Sequence, residues 1–393
     1  MQSFEYFCPT EIIFGVGAEN CVAEKIRKHG GSRVMILYGG GSAIKSGLLP
    51  RIERLLLTGG LAALKVVGGV KPNPRVNFAR HAIREAIDAK IDFVLAVGGG
   101  SVIDTAKAVA FGAANPNVDI WDDFWSKNRP AGKSLPVGVV LTIAAAGSET
   151  SDSAVLTDEE SGHKVGNTTP RPAFAIMNPA FAMTVPRYPL TCGIADIIMH
   201  TLERYFTHVD GNEFTDMVAE ALIRNVMAQS KKILADPNDL HAMSEIMWCG
   251  SVSHTGFTGL GRERDFSAHK LGHELSGRYD VAHGASLTTV WAHWARTVCN
   301  ANIARFANFA EKIFGITGGT VDETARAGID AMENYFRSIG LPTNFTELGI
   351  GVQTEDELKF LADMVTSNGT KKVAVFVPMD RALVLEIYRK ANV

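Results

Sequence analysis

At 393 residues the chain is long enough for two domains, each with its own apolar core, and its 46% hydrophobic and 21% charged residues are those of an ordinary globular protein rather than a disordered one. A formal net charge of −3 leaves none of the dense basic surface that nucleic acid or an anionic membrane requires. Five scattered cysteines without a C-x-x-C pair, the lack of any apolar stretch near ~20 residues and an N-terminus with no basic-then-apolar signal pattern predict a soluble cytoplasmic protein with free thiols.

The first half alternates strand and helix signals. Amphipathic Ala18–His29 precedes an apolar run, Arg33–Tyr38, that ends at Gly39-Gly40-Gly41-Ser42. Leu48–Leu57 has helical spacing, Leu64–Val67 reads as a strand and Val76–Lys90 as a helix. Phe93–Val97 then ends at Gly98-Gly99-Gly100-Ser101, which opens a helix over Ser101–Ala113, and further strands are expected at Val137–Leu141 and Ala173–Met177. Repeated strand, glycine turn and helix units imply a parallel sheet covered by helices. From Thr191 onward the pattern becomes helical: Thr191–His208, Phe214–Leu234, Leu240–Phe257, Ala268–Ser276, Ile303–Phe314, Val321–Ile339, Glu355–Ser367 and Arg381–Lys390. The expected organisation is an α/β domain over residues 1–187 and an all-α domain over residues 188–393.

Three glycine-rich or small-residue turns carry possible nucleotide chemistry. Gly98, Gly99, Gly100 and Ser101 would let a backbone approach a phosphate at a helix start, with Asp104 following; the bland alternative is a tight turn capped by Ser101. Gly39, Gly40, Gly41 and Ser42 end the earlier strand in the same way. No Asp or Glu stands between Tyr38 and Lys45 to hold a ribose hydroxyl, and Ser42 and Lys45 would instead meet a 2′-phosphate, which favours NADP over NAD. Thr142-Ile143-Ala144-Ala145-Ala146-Gly147-Ser148-Glu149 would let a flat ring pack on the backbone, or is simply a well-packed junction.

The strongest chemistry lies in the helical half. Asp196 and His200 are four apart, as are His269 and His273, and His283-Gly284 follows; each pair therefore shares one helix face. A lone histidine is usually a satisfied core residue, but an aspartate among apolar neighbours is costly to bury alone. One carboxylate with several imidazoles and no cysteine suits Zn²⁺ or Fe²⁺ in a catalytic setting. Cys192, Met243, Met247 and Trp248 read as core; Asp158-Glu159-Glu160 reads as a solvated acidic loop with Asp152. Trp121, Phe124 and Trp125, with Asp122 and Asp123, either pack over the cleft or support an interface.

At these residues the chain resembles the iron-containing (group III) alcohol dehydrogenases, nearly end to end. The family's metal pattern, D-x-x-x-H, then H, then H-G, matches Asp196, His200, His269 and His283, while His273 matches a further histidine on the substrate or proton path. The stretches Gly261–His269, His273–Ser276 and Tyr279–Gly284 look most like the NADPH-dependent butanol dehydrogenase and aldehyde reductase branch. The resemblance implies a dinucleotide-binding α/β domain plus an all-α domain (dehydroquinate synthase-like architecture), with the metal in the cleft between them. It also implies cofactor contacts from Gly98–Ser101, Asp104, Ser42, Asn73, Thr142 and Lys164, and a homodimer. One position departs from the pattern: Ala146 stands where the family usually has Thr. The implied activity is hydride transfer between NADP(H) and a small alcohol or aldehyde, with Fe²⁺ or Zn²⁺ polarising the oxygen and His273 relaying a proton. A polyol dehydrogenase or a lyase on the same scaffold would need several cations near the metal, where only Arg262, Arg264 and Lys270 are offered. A metal-dependent hydrolase would not need two nucleotide turns, and four candidate ligands argue against an inactive binding scaffold.

Overall fold

The computed structural model describes the backbone of residues 1–393 and all side chains but those at positions 62–64. The chain divides into two compact units, Phe7–Val185 and a second that joins Met1–Tyr6 to Pro186–Val393. The sequence expectation of a first domain beginning at residue 1 is corrected here. The Met1 ammonium donates to the Asp210 carbonyl (3.0 Å), the Gln2 amide donates to the Gly261 carbonyl (2.8 Å), and the Tyr6 ring lies 5.8 Å from that of Phe257.

The α/β unit runs β1 (Glu11–Phe14), α1 (Val22–Lys28), β2 (Arg33–Tyr38), α2 (Ser42–Lys45), α3 (Leu48–Thr58), β3 (Ala62–Val67), α4 (Val76–Asp88), β4 (Phe93–Gly98), α5 (Gly100–Ala114), β5 (Val137–Leu141), β6 (Ser153–Thr157), β7 (Lys164–Thr168) and β8 (Phe174–Met177). Six strands form one parallel sheet in the order β1-β8-β5-β4-β2-β3. Strands β4 and β5 are buried along their whole length, as expected where helices cover both faces, and so they read as continuous apolar runs. Phe174 stacks on Phe93 at 5.9 Å and lies over Gly138, where any Cβ would come within 2.4 Å of its ring. The chain leaves β2 toward β3 at one edge, then returns across β2 to β4. The strand order therefore reverses between β2 and β4, the point where open α/β sheets bind their ligands.

Two features of this unit differ from the sequence reading. Strand β1 occupies one sheet edge, and β6 and β7 form an antiparallel hairpin whose tip is the acidic turn Asp158–Glu160, with Asp158 half-buried and Glu159 and Glu160 exposed. These strands are only four or five residues long and mixed in polarity, so they lack the period that marks a longer strand. The tryptophans belong to the core of this unit instead: Trp121 and Trp125 are buried, and Trp125 Nε1 donates to the Ala154 carbonyl at 3.1 Å, beneath the hairpin.

The second unit is helical: α6 (Arg187–Tyr205), α7 (Glu213–Ala235), α8 (Leu240–His254), α9 (Ser267–Tyr279), α10 (His283–Val298), α11 (Ile303–Phe309), α12 (Val321–Ser338), α13 (Phe345–Leu348), α14 (Glu355–Thr366) and α15 (Arg381–Ala391). Side-chain caps start α8 (Asp239), α11 (Asn302), α12 (Thr320, in a capping box with Glu323), α14 (Thr354) and α15 (Asp380). Helix α10 is absent from the sequence expectation. Its early Gly284 and its Thr288-Thr289-Val290 run weaken helical propensity, and burial of nearly every residue removes the polar face that periodicity detects. Among the described residues, no helix is long and apolar enough to cross a membrane.

Lys107 on α5 is the buried polar tie of the α/β unit. Its ammonium donates to the carbonyls of Ser148 (2.7 Å), Ser151 (3.0 Å) and Ser153 (2.7 Å), although burial lowers its pKa to about 8 against the pull of Asp104. Lys107→Met keeps most of the volume and leaves those carbonyls without their donor. It is expected to lower unfolding stability by on the order of 3 kcal/mol, read by denaturant titration.

Candidate functional site

The metal candidates sit on three helices. Asp196 and His200 share the buried face of α6, His269 lies in the first turn of α9, and His283 is the first residue of α10. Asp196 Oδ1 is 3.6 Å from His269 Nε2, 3.8 Å from His200 Nδ1 and 3.8 Å from His283 Nε2. Asp196, His200 and His269 are each 4% exposed and offer ligand atoms that all lie within 4.8 Å of one another. His283 joins the set through Asp196.

These separations exceed a hydrogen bond and approach the about 3.4 Å expected between two ligands held ~2.1 Å from one tetrahedral ion. His200 Nδ1 and His269 Nε2 are buried without a hydrogen-bond partner among the described residues. A carboxylate and three imidazoles are also the donor chemistry of a catalytic Zn²⁺ or Fe²⁺. On geometry, burial and donor type, a divalent cation fits.

Glycines let the three helices approach this closely. A Cβ on Gly284 would fall 2.0 Å from the Cys192 carbonyl oxygen, so the start of α10 rests directly on the α6 backbone one turn before Asp196. A Cβ on Gly272 would meet Leu287 at 2.8 Å and Ser286 Oγ at 3.0 Å, which sets α9 against α10. The Ser276 and Ser286 hydroxyls bond at 2.8 Å across the same seam.

Electrostatics divide the imidazoles. Burial holds His200 well below the usual imidazole range, and neighbouring His254 adds to this against the opposing pull of Asp196. Burial works in the same direction on His269, but the carboxylates of Glu203 and Asp196 outweigh it and push that ring up to about 9. His273 is half-buried, with its ring 5.2 Å from that of His283 and 5.9 Å from that of His269, so it stands at the margin of the cluster.

Three neighbours escaped the sequence reading. Glu203, seven residues after Asp196 on the same helix, is 4% exposed and places Oε1 3.4 Å from His269 Nδ1. The cost of burying an acid, which singled out Asp196, applies equally to it. His254, at the end of α8, lies with its ring 3.9 Å from and tilted 42° to that of His200, and only tertiary folding brings it there. Phe266 adopts a left-handed conformation (φ 60°), rare for a bulky residue, just before α9. The Asp265 carboxylate accepts the Ser267 amide (3.1 Å), and the Arg204 guanidinium covers the Phe266 ring at 4.9 Å.

The nucleotide candidates lie in the α/β unit. Gly39–Ser42 and Gly98–Ser101 leave adjacent strands β2 and β4, on either side of the order reversal. Thr142 follows on the next strand, with its amide donating to the Gly98 carbonyl at 3.1 Å. A Cβ on Gly98 would meet Val102 at 2.4 Å and one on Gly99 would meet Ile143 at 2.3 Å, so these glycines let helix, strand and loop close up. Around Gly40 a Cβ would find open space, and Ser42 and Lys45 are exposed. Lys164 on β7 donates to Asn73 Oδ1 at 2.9 Å, both buried, which joins two residues distant in sequence. Asp104 has a different setting from the expected cofactor contact. One of its oxygens accepts from the Ser148 hydroxyl and the other from the Val155 amide (2.9 Å), so it fastens the loop after β5.

A carboxylate and three imidazoles able to hold a divalent ion, carried with a dinucleotide-type sheet, are the parts expected of a metal-dependent nicotinamide oxidoreductase. Residues 9–179 match the iron-containing alcohol dehydrogenase model, and residues 191–392 match that of the Fe-containing alcohol dehydrogenase family, C-terminal. The chain belongs to the iron-containing alcohol dehydrogenase family. It is 34% identical to NADH-dependent butanol dehydrogenase A of Clostridium acetobutylicum, with 100% of both chains covered. It is 32% identical to the NADPH-dependent aldehyde reductase YqhD of Escherichia coli, over 89% of this chain and 90% of that one. Among solved structures it resembles NADH-dependent butanol dehydrogenase A of Thermotoga maritima, with a TM-score of 0.94 and 33% identity over 100% of this chain and 99% of that one.

Gly284→Ala forces a methyl group into the Cys192 carbonyl and lifts α10 from α6. Expected outcomes are a loss of about 1–3 kcal/mol of stability and at least a tenfold fall in metal retained after dialysis, checked by thermal unfolding and elemental analysis.

Proposed function

We propose that the chain is an NADP(H)-dependent reductase of small aldehydes, and dehydrogenase of the corresponding alcohols. Asp196, His200, His269 and His283 would hold Fe²⁺ or Zn²⁺. The observation that carries the proposal is a single buried carboxylate oxygen, Asp196 Oδ1, within 3.6–3.8 Å of three imidazoles from three helices. When bound, the cation supplies Lewis-acid polarisation of the substrate oxygen and the reduced nicotinamide supplies the hydride.

The chain's own residues do the rest. Asp196 offsets part of the cation's charge, and the buried His200 and His269 exclude water from that side of it. His273, at the margin of the cluster, passes the proton to or from the substrate oxygen, a task suited to an imidazole near neutral pH. Arg262 does not serve an acidic substrate, because its guanidinium is buried and bonded to Asp216. This supports an uncharged aldehyde over the charged cyclic acid of the lyase alternative. Preference for NADP(H) is supported by the exposed Gly40–Ser42 turn and Lys45, where no acid stands to repel a 2′-phosphate. The relatives are named for NADH and for NADPH at similar identity, so this preference is a property to be measured on the chain itself.

Two measurements test the reading. His283→Ala and Asp196→Ala should each lower butanal reduction at least 1,000-fold while leaving NADPH affinity, followed by fluorescence titration, within about threefold; full activity of either variant without metal overturns the proposal. Ser42→Asp places a carboxylate where the 2′-phosphate is expected. It should reduce kcat/KM for NADPH relative to NADH by at least tenfold, a difference of about 1.4 kcal/mol. Wild-type preference for NADH overturns the cofactor assignment.

A further inference from the structure

We propose that Glu203 is the positioning residue of the metal centre, holding the His269 ring so that Nε2 is presented to the cation. The proposal rests on the metal reading above and extends it to a residue outside the ligand set.

Four observations support the assignment. Glu203 Oε1 accepts the His269 main-chain amide at 3.0 Å and also lies 3.4 Å from Nδ1 of the same ring. One oxygen therefore bonds the His269 backbone and also faces its Nδ1, which is buried with no hydrogen-bond partner among the described residues. The opposite ring nitrogen, Nε2, is the atom that faces Asp196 at 3.6 Å, so the ring spans from one carboxylate to the other. Glu203 Oε2 is buried and makes no hydrogen bond among the described residues, so no further hydrogen bond through this oxygen accounts for the buried acid. The Glu203 backbone is itself anchored, its carbonyl accepting the Asp265 amide at 3.0 Å, and α6 carries it one turn beyond His200.

The chemistry follows from the two ring nitrogens. A carboxylate that receives Nδ1–H selects the tautomer whose Nε2 lone pair is open to a metal, fixes the ring plane and makes that nitrogen more basic. A purely structural role is available as well, since His269 lies in the first turn of α9 and its amide needs an acceptor. The two roles separate experimentally, because glutamine keeps an acceptor oxygen for the amide but loses the charge that holds Nδ1–H.

The test compares full-length wild type with Glu203→Gln by competition against a chromophoric chelator for Zn²⁺ and for Co²⁺. The d–d absorption of the Co²⁺ form serves as a direct readout of the ligand geometry. The variant should bind either ion 10- to 100-fold more weakly, with an altered Co²⁺ spectrum and an NADPH affinity within twofold of wild type. In the His269→Ala background, Glu203→Gln should cost less than a further twofold, because its effect passes through the ring. Glu203→Asp, which keeps the charge, should recover part of the affinity, and it supplies the comparison with wild type if the glutamine variant does not fold. An affinity and spectrum equal to wild type, or an undiminished loss in the His269→Ala background, overturns the assignment while the metal centre stands. A wild-type protein that takes up neither ion overturns the metal reading and this inference together.

Discussion

The helical unit is organised around one unfavourable burial made favourable by company. Asp196 lies in the protein interior among His200, His269 and His283, at distances too long for hydrogen bonds and suited to ligands of a common ion. A lone carboxylate there would be expensive, and so would several buried imidazoles with no acceptor. The arrangement is sustained by backbone proximity. Gly284 lets α10 rest on the carbonyl of Cys192, and Gly272 lets α9 rest on α10. Around this core two further carboxylates tie segments together. Asp216 binds Arg262 and Arg305, and Asp265 fixes the turn at Phe266 and accepts the amides of Val375 and Phe376.

The α/β unit solves a different problem, with absent side chains rather than buried charge. Glycines at 98 and 99 bring a helix, a strand end and the next loop within contact distance. What holds the third loop in place is polar and internal: Lys107 gathers three of its carbonyls, Asp104 takes a hydroxyl and an amide, and Arg171 binds Thr150 and Asp152. A rigid loop beside open glycine turns is suited to a ligand bound mainly through backbone and small polar groups, as a dinucleotide is. The helical unit, with its fixed donors, is suited to a hard, compact charge. Family membership joins the two functions in one enzyme.

Legibility in the sequence followed periodicity and burial. Strands β2, β4, β5 and β8 were readable because central parallel strands are continuous apolar runs, two of them punctuated by glycine clusters. The amphipathic helices α3, α4 and α12 were readable because one face stays wet. Strand β1 and the β6–β7 hairpin were not, being short and mixed, and α10 was not, because a buried helix has no polar stripe and Gly284 reads as a breaker. Asp196 and His269 were found by spacing. Glu203 was not, although it shares α6 with Asp196, because a single acid at a seven-residue interval forms no pattern until a partner from another helix is brought to it.

The amino-acid sequence by itself determined which side chains share a face. A four-residue interval on a helix aligns Asp196 with His200 and His269 with His273 whatever the rest of the chain does. It also determined where the backbone is bare, at the glycine clusters after β2 and β4. Only the tertiary structure decided that α6, α9 and α10 converge, that His283 lies against Asp196, that Asp104 bonds Ser148 and Val155, and that Lys164 meets Asn73. The physical reason is that local spacing is set by backbone geometry within a few residues. Which faces meet depends on packing among segments distant along the chain, and on the few glycines whose missing Cβ lets those segments touch.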